Sequence, residues 1–88
     1  MKQYRLYTEN KNRKWLIREV SKHFKNFTTY KTVGFWEGEQ EKSIVIEILS
    51  DHLIPAVKLS LLCKAICGYN RQQCVMITTS DCDMEFLS

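Results

Sequence analysis

Residues 33–49 have the sequence VGFWEGEQEKSIVIEIL, and this stretch decides the fold. Its two ends are rich in residues that favour strands, and the short acidic segment between them contains Gly38, as a tight turn requires. The segment from Lys42 to Leu49 alternates only partly, so we expect a central strand that is buried on one face and mostly buried on the other. The stretch therefore predicts a β-hairpin at the centre of a sheet.

Further strands are indicated on both sides of this hairpin. Gln3 to Tyr7 alternates as a half-buried strand does. Phe27 to Trp36 has a β-favouring composition, in which Gly34 suggests a bulge or a close backbone approach. Gln73 to Thr79 is the last predicted strand.

Two helices are predicted between these strands. The first follows Asn10 or Asn12, either of which could cap it, and its apolar positions recur at helical spacing: Leu16, Ile17, Val20 and Phe24. The second follows Ser50-Asp51 as a possible cap, carries Pro55 near its start and ends at Gly68 or Asn70.

The order strand, helix, strand, strand, helix, strand predicts a single ferredoxin-like βαββαβ domain over residues 1–80, followed by an acidic C-terminal tail over residues 81–88. This is an α+β fold, a four-stranded antiparallel sheet with two helices on one face. The other face has no helix to cover it, and four apolar residues could point there: Tyr7, Val45, Leu49 and Met76. An apolar sheet face is commonly covered by a second copy, so we expect a homodimer through it.

Composition and charge restrict the class of protein further. The 88 residues carry no apolar run long enough to span a bilayer and no hydrophobic signal region, so we expect a cytoplasmic protein with no membrane partner and free thiols. The net charge is only +3, but residues 1–31 carry +7, residues 32–51 carry −4 and the last nine residues carry −3. The molecule should be electrostatically two-sided.

Five basic residues recur at spacings of three and four along the first predicted helix: Lys11, Lys14, Arg18, Lys22 and Lys25. We call these five residues the basic ridge. They fall within about 80° of arc, nearly opposite the apolar stripe. The ridge is either a solvated helix face or a docking surface for a phosphate backbone or an acidic protein.

Catalytic signatures are missing from the sequence. It has no Gly-rich phosphate loop, nucleophile elbow or His-Glu-x-x-His run, which favours a non-enzymatic protein without a cofactor or metal. Cys63 and Cys67, four residues apart on a helix, are more typical of small core residues than of metal ligands. Glu47 interrupts an apolar strand, and we expect it to pair with Arg5 or Lys31 on a neighbouring strand.

The chain resembles a family of small, uncharacterised proteins of bacteriophages and related mobile elements. The matching positions cover most of the chain: Tyr7-Thr8-Glu9, Phe27-Thr28, Gly34-x-Trp36-x-Gly38, Glu41-x-Ser43, Ile46-Glu47-Ile48 and, within Asn70 to Thr78, Gln72, Val75 and Thr78. The resemblance implies a ferredoxin-like fold and a phage setting, hence a host-cell cytoplasm, without an activity. The cysteines, Pro55 and the acidic tail depart from the pattern.

Three functional hypotheses follow. In the first, a small phage-type binding protein docks on a host protein or ribonucleoprotein through the basic ridge or the uncovered sheet face, as an anti-CRISPR counter-defence inhibitor would. In the second, a dimer closes a pocket between its sheets that binds or turns over a nucleotide or metabolite, using Trp36, Glu41, Ser43, Glu47 and Gln72. In the third, the basic first helix binds nucleic acid directly.

Overall fold

The computed structural model describes residues 1–87 and contains four strands and two helices. In chain order these are β1 (Lys2–Glu9), α1 (Arg13–Ser21), β2 (Thr28–Trp36), β3 (Glu39–Ser50), α2 (Ala56–Asn70) and β4 (Met76–Asp81). The strands form one sheet in the order β2-β3-β1-β4, and every neighbouring pair is antiparallel. The ferredoxin-like α+β fold predicted from the sequence is confirmed.

The hydrophobic core lies between one face of the sheet and the two helices. Alternate residues of the central strands point to this face because successive side chains of a strand point to opposite sides. They meet the apolar stripes of both helices in one buried cluster, whose main members are Tyr4, Leu6, Ile44, Ile46 and Ile48 from the strands and Leu16, Val20, Leu59, Leu62 and Ile66 from the helices. The helices thus cover a single face of the sheet, as predicted.

The β2–β3 hairpin projects beyond the rest of the sheet. Strand β1 makes its last pair between Glu9 and Ser43, so within the sheet residues 33–36 pair only with residues 39–42. Val33, Phe35 and Trp36 are 56%, 72% and 69% exposed on this projection. The acidic tip is therefore a two-stranded ribbon with both faces open to solvent.

The turn of the hairpin consists of Glu37 and Gly38, both with positive φ, at 50° and 81°. Two left-handed residues give the turn a twist that matches the flanking strands, and Gly adopts this conformation without a steric cost. The bulge expected at Gly34 is absent, because the register runs unbroken from Thr28–Glu47 to Trp36–Glu39. The close approach is also absent, since a side chain at Gly34 would meet only Ser43 Oγ, at 3.9 Å.

The N-terminal caps of the helices differ from those predicted, whereas α2 ends at Asn70, one of its two predicted ends. Asn12 lies at the N-cap of α1 but adopts a left-handed backbone and makes no side-chain capping bond, because its amide donates to Asn70 Oδ1 instead. Helix α2 starts directly after Pro55, and Ser50 forms a local turn with His52 rather than a cap. At the other end of α2, Asn70 is the last helical residue and Arg71 follows in the left-handed region.

Strand β4 starts three residues later than predicted and continues to Asp81. Its end is tied to the sheet, because Lys2 Nζ lies 2.6 Å from Asp81 Oδ1 and the Cys82 N–H donates to the Met1 carbonyl. The lysine ammonium beside Asp81 lowers the pKa of that carboxyl through their hydrogen bond. Residues 83–87 of the predicted tail are exposed, and Ser88 lies outside the described residues.

Candidate functional site

The basic ridge predicted from the sequence is divided by the ends of α1. Only Lys14 and Arg18 lie on the helix, since it spans Arg13–Ser21. Lys22 is the C-cap residue, and Lys11 and Lys25 lie in the flanking loops. The helical periodicity continued in the sequence beyond the point where the helix stops.

Two ridge lysines are also partly neutralised. Lys22 Nζ lies 3.0 Å from a Glu19 carboxylate oxygen. Lys11 Nζ lies 3.5 Å from a Glu9 carboxylate oxygen. Within residues 1–87, Lys14 and Arg18 make no ion pair, so their charges are directed to solvent.

An open groove of about 350 Å³ lies at the N-terminal end of α1, where it meets the end of α2. Trp15 and Tyr69 form its aromatic part: their rings stack with centroids 3.9 Å apart and planes within 1° of parallel. Tyr69 is 53% exposed, so the stack is capped by a ring that is open to solvent. The other lining residues are Asn12, Arg13, Lys14 and Arg18.

Every charged residue that lines this groove is a cation. Three cations beside an exposed aromatic ring can hold phosphates electrostatically and offer a stacking surface to a base. The sequence indicated part of this arrangement through Lys14 and Arg18, two members of the basic ridge. It missed Tyr69, which lies 54 positions from Trp15 and is brought to it only by the packing of the two helices.

A partly buried polar network lies beside the groove and connects the segments that form it. Asn70, 4% exposed, accepts from Asn12 Nδ2 at 3.0 Å and donates to Gln72 Oε1 at 2.9 Å. Gln72 Oε1 also accepts from Thr8 Oγ1, at 2.9 Å, and Gln72 Nε2 donates to the Cys74 carbonyl. The network therefore links β1, the start of α1 and the end of α2, and it ties Asn12 to Asn70, the chain neighbour of Tyr69.

The five residues predicted to line a ligand pocket do not come together. Trp36, Glu41, Ser43 and Glu47 share the helix-free face of the sheet, but Trp36 pairs with Glu39, eight residues from Glu47 along β3. Eight residues of strand span about 26 Å, more than one small-molecule pocket covers. Gln72 belongs to the polar network around Thr8, whose side chain points to the helix-covered face.

Glu47 has a structural partner at the centre of the open face. Arg5 Nε donates to Glu47 Oε1 at 2.9 Å, and Gln3 Nε2 donates to the same oxygen at 3.3 Å. The hydrogen bond to Glu47 raises the pKa of Arg5. Of the two predicted pairings, the one with Arg5 is confirmed, and Lys31 points to the opposite face.

The four apolar residues predicted on the helix-free face do lie there, because Tyr7 pairs with both Val45 and Met76, and Leu49 shares the face of Val45 along β3. Val45 is 1% exposed even though no helix covers it, and Tyr7 is half-buried. Leu49 and Met76 remain 40% and 54% exposed. A homodimer through this face stays a prediction.

The four cysteines carry free thiols. Burial raises the pKa of Cys63 and of Cys67, so both stay protonated at neutral pH. Residues 1–87 contain no cluster of three or more histidine, cysteine or acidic side chains that could hold a metal ion. None of the helices in this part of the chain has the length and apolar character needed to cross a membrane.

Comparison with known proteins yields a similar fold and no named relative. No protein-family model matches the chain, and no curated protein matches it. The chain is similar to the crystal structure of a DUF3240 family protein from Shewanella baltica OS155, with a TM-score of 0.68 over 99% of this chain and 96% of that one. The sequences are 14% identical, so the similarity concerns the fold alone.

Proposed function

We propose that this protein is a non-enzymatic binding protein that docks on single-stranded nucleic acid, free or exposed on a host ribonucleoprotein, through the groove between α1 and α2. The observation that carries the proposal is the Trp15–Tyr69 stack in a groove whose charged lining residues, Arg13, Lys14 and Arg18, are all cations. A ribonucleoprotein of host defence is the partner that would suit the predicted phage setting and an anti-CRISPR-like role in the host cytoplasm.

The aromatic ring favours nucleic acid over an acidic protein as the partner. A cluster of lysines and arginines attracts either partner, because both are polyanions. A base adds a flat ring that stacks on an exposed tyrosine, and such stacking contributes about 1–3 kcal/mol per base. Tyr69 is 53% exposed, so its ring can stack on a base of a nucleic acid. A carboxylate-rich protein surface offers the ring no comparable contact.

The geometry gives less support to a small-molecule enzyme than to a nucleic-acid-binding protein. Trp36 and Glu47 are separated along the sheet, and Glu47 is engaged by Arg5 and Gln3. Gln72 is used in the network beside the groove. Two of the five predicted pocket residues, Glu47 and Gln72, thus have structural partners, whereas the side chains of Lys14 and Arg18 make no hydrogen bond or ion pair among the described residues.

The test is the affinity for a fluorescently labelled single-stranded RNA, measured by anisotropy over a range of salt concentrations. Three phosphate contacts predict a slope of log K against log salt of about −2, or a 15- to 20-fold weaker affinity at ~200 mM than at ~50 mM salt. Replacing Lys14 and Arg18 by Ala should reduce the slope by about 1.4. The matched control removes the same charge outside the groove, with Lys25→Ala and Lys64→Ala.

Tyr69 distinguishes the two kinds of polyanion. Tyr69→Ala should weaken RNA binding by roughly 5- to 150-fold, whereas Tyr69→Phe, which keeps the ring, should bind as the parent does. An affinity that is independent of salt, or equal losses in the groove variant and its charge-matched control, would refute the proposal. Salt-dependent binding of an acidic protein with no effect of Tyr69→Ala would point to a protein partner instead.

A further inference from the structure

A second concavity lies at the end of the sheet that is opposite the hairpin tip. It has a volume of about 250 Å³ and forms where the α1–β2 loop, the end of β3 and the segment before α2 meet. Glu39 and Ser50, the first and last residues of β3, are 11 residues apart, which places the cavity about 36 Å from the hairpin tip. It shares no lining residue with the groove of the proposed function, which lies at the other end of α1.

The cavity combines an apolar floor with a cationic rim. Ile48 and Ile54 are 2% and 8% exposed in its floor. Lys25 and Lys58 are the cations of its rim, and Lys58 Nζ lies 4.6 Å above the centre of the Phe24 ring. No carboxylate of residues 1–87 lines the cavity.

Two histidines complete the rim, and each has an acidic neighbour outside the cavity. His52 Nδ1 lies 2.6 Å from an Asp51 carboxylate oxygen. His23 Nε2 lies 3.9 Å from a Glu19 carboxylate oxygen. The positive charge available to a ligand is therefore that of Lys25 and Lys58, and a suitable ligand carries about two negative charges and an apolar group.

The C-terminal segment has this complementary composition. Asp83 and Glu85 alternate with apolar residues and make no ion pair within residues 1–87. Phe86 and Leu87 are 89% and 87% exposed, among the most exposed large apolar side chains of the protein. Burial of these two side chains against an apolar floor within reach would stabilise the protein.

The segment starts close enough to reach the cavity. Lys2 pairs with Ser50 on one side and with Asp81 on the other, so Ser50, which lines the cavity, and Asp81 are two strand spacings apart, or about 10 Å. Five further residues, Asp83 to Leu87, extend up to about 17 Å. The bond from the Cys82 N–H to the Met1 carbonyl fixes the origin of the segment beside the sheet.

We propose that the basic cavity is a binding site for an acidic, apolar peptide segment, and that its occupant is residues 83–87 of the same chain. Asp83 and Glu85 approach Lys25 and Lys58, and Phe86 and Leu87 cover the apolar floor. The open, solvated cavity would hold a free peptide only weakly. A tethered segment is present at a local concentration of the order of millimolar, which favours docking within one molecule over capture of a second copy.

The test is NMR spectroscopy of the full chain. Docking predicts nuclear Overhauser contacts from the Phe86 ring to Phe24 and Ile54, at low salt and independent of protein concentration. Asp83→Lys with Glu85→Lys should abolish these contacts and shift the amide signals of Asn26 and His52. The matched control, Glu37→Lys with Glu39→Lys, makes the same change of charge at the distant hairpin tip and should leave the contacts intact.

A charge swap makes the experiment decisive. Lys25→Glu with Lys58→Glu should also abolish the contacts, and combining it with Asp83→Lys and Glu85→Lys should restore them. If the parent shows no contact between Phe86 and the cavity, or if signal changes stay within residues 81–87, the proposal is wrong. Contacts that appear only as protein concentration rises would show docking in a second copy and would overturn the intramolecular form.

Discussion

Replacement of Asn70 by Ala tests how the groove is held together. Asn70 is 4% exposed, and its side chain makes two hydrogen bonds, from Asn12 Nδ2 at 3.0 Å and to Gln72 Oε1 at 2.9 Å. Neither partner is left buried without a bond, because Asn12 is exposed and Gln72 Oε1 keeps its bond from Thr8 Oγ1. The cost should thus be that of two ordinary hydrogen bonds, about 2 kcal/mol in the free energy of unfolding.

The assay is urea unfolding followed by far-UV circular dichroism. The unfolding midpoints are compared, and the slope of the free energy of unfolding against urea concentration should be unchanged. Asn10→Ala serves as the control, since the Asn10 side chain makes no hydrogen bond within residues 1–87, and it should change the free energy of unfolding by less than about 0.5 kcal/mol. Asn70→Ala should also weaken RNA binding, because the bond that ties Asn12 to the chain neighbour of Tyr69 is lost. A loss below about 0.5 kcal/mol with the slope unchanged would refute the account of the network.

Two further predictions concern the core and the sheet edge. Tyr4→Phe removes the buried acceptor of the Ile54 N–H, 2.9 Å away, and should cost about 1–3 kcal/mol in urea unfolding and speed hydrogen exchange of that amide; an unchanged midpoint would contradict it. Because Lys2 lowers the pKa of Asp81 in the folded state, the pair contributes stability above the ordinary carboxyl pKa and loses it as the pH falls through the folded value. Asp81→Asn should therefore lose less stability than the parent between pH ~5 and ~2, and parallel stability–pH curves would argue against the pairing.

The sheet was predictable because its pattern is local. Ile44, Ile46 and Ile48 recur at the two-residue period of a strand, and all three are buried against the helices. The acidic segment with Gly38 marked the turn because few residues other than glycine adopt a φ of 81°. Together with the order of the elements, these features were sufficient for the fold.

Helix ends were harder to predict because they depend on tertiary contacts. Asn12 is a favoured capping residue, yet its side chain bonds to Asn70, 58 positions away. The apolar spacing that includes Phe24 extended the predicted helix beyond Ser21. In the structure, the N–H groups of Lys22 and His23 donate to the carbonyls three residues earlier, those of Glu19 and Val20, and these bonds tighten the last turn. The length of the basic ridge was overestimated for the same reason, because Lys22 and Lys25 lie beyond the end of the helix.

The candidate site depends on contacts between segments that are distant in the sequence. Trp15 and Tyr69 stack only because the start of α1 meets the end of α2, and periodicity within either helix carries no information on that meeting. Gln72 was assigned to the predicted ligand pocket as one of the positions that carry the family resemblance. Its two buried partners, Thr8 and Asn70, become apparent only in three dimensions.

The distribution of charge restricts how a nucleic acid could enter the proposed groove. The Asn10 N–H donates to the Lys42 carbonyl, so the loop that leads into α1 lies against the base of the acidic hairpin. Glu37 and Glu39 project beyond that base and would repel a phosphate backbone that approached along the hairpin. A bound strand must then run across Lys14 and Arg18, away from the hairpin and past the exposed ring of Tyr69. Lys14 and Arg18 should consequently contribute more to binding than Lys11, which lies nearer to the hairpin and is already paired with Glu9.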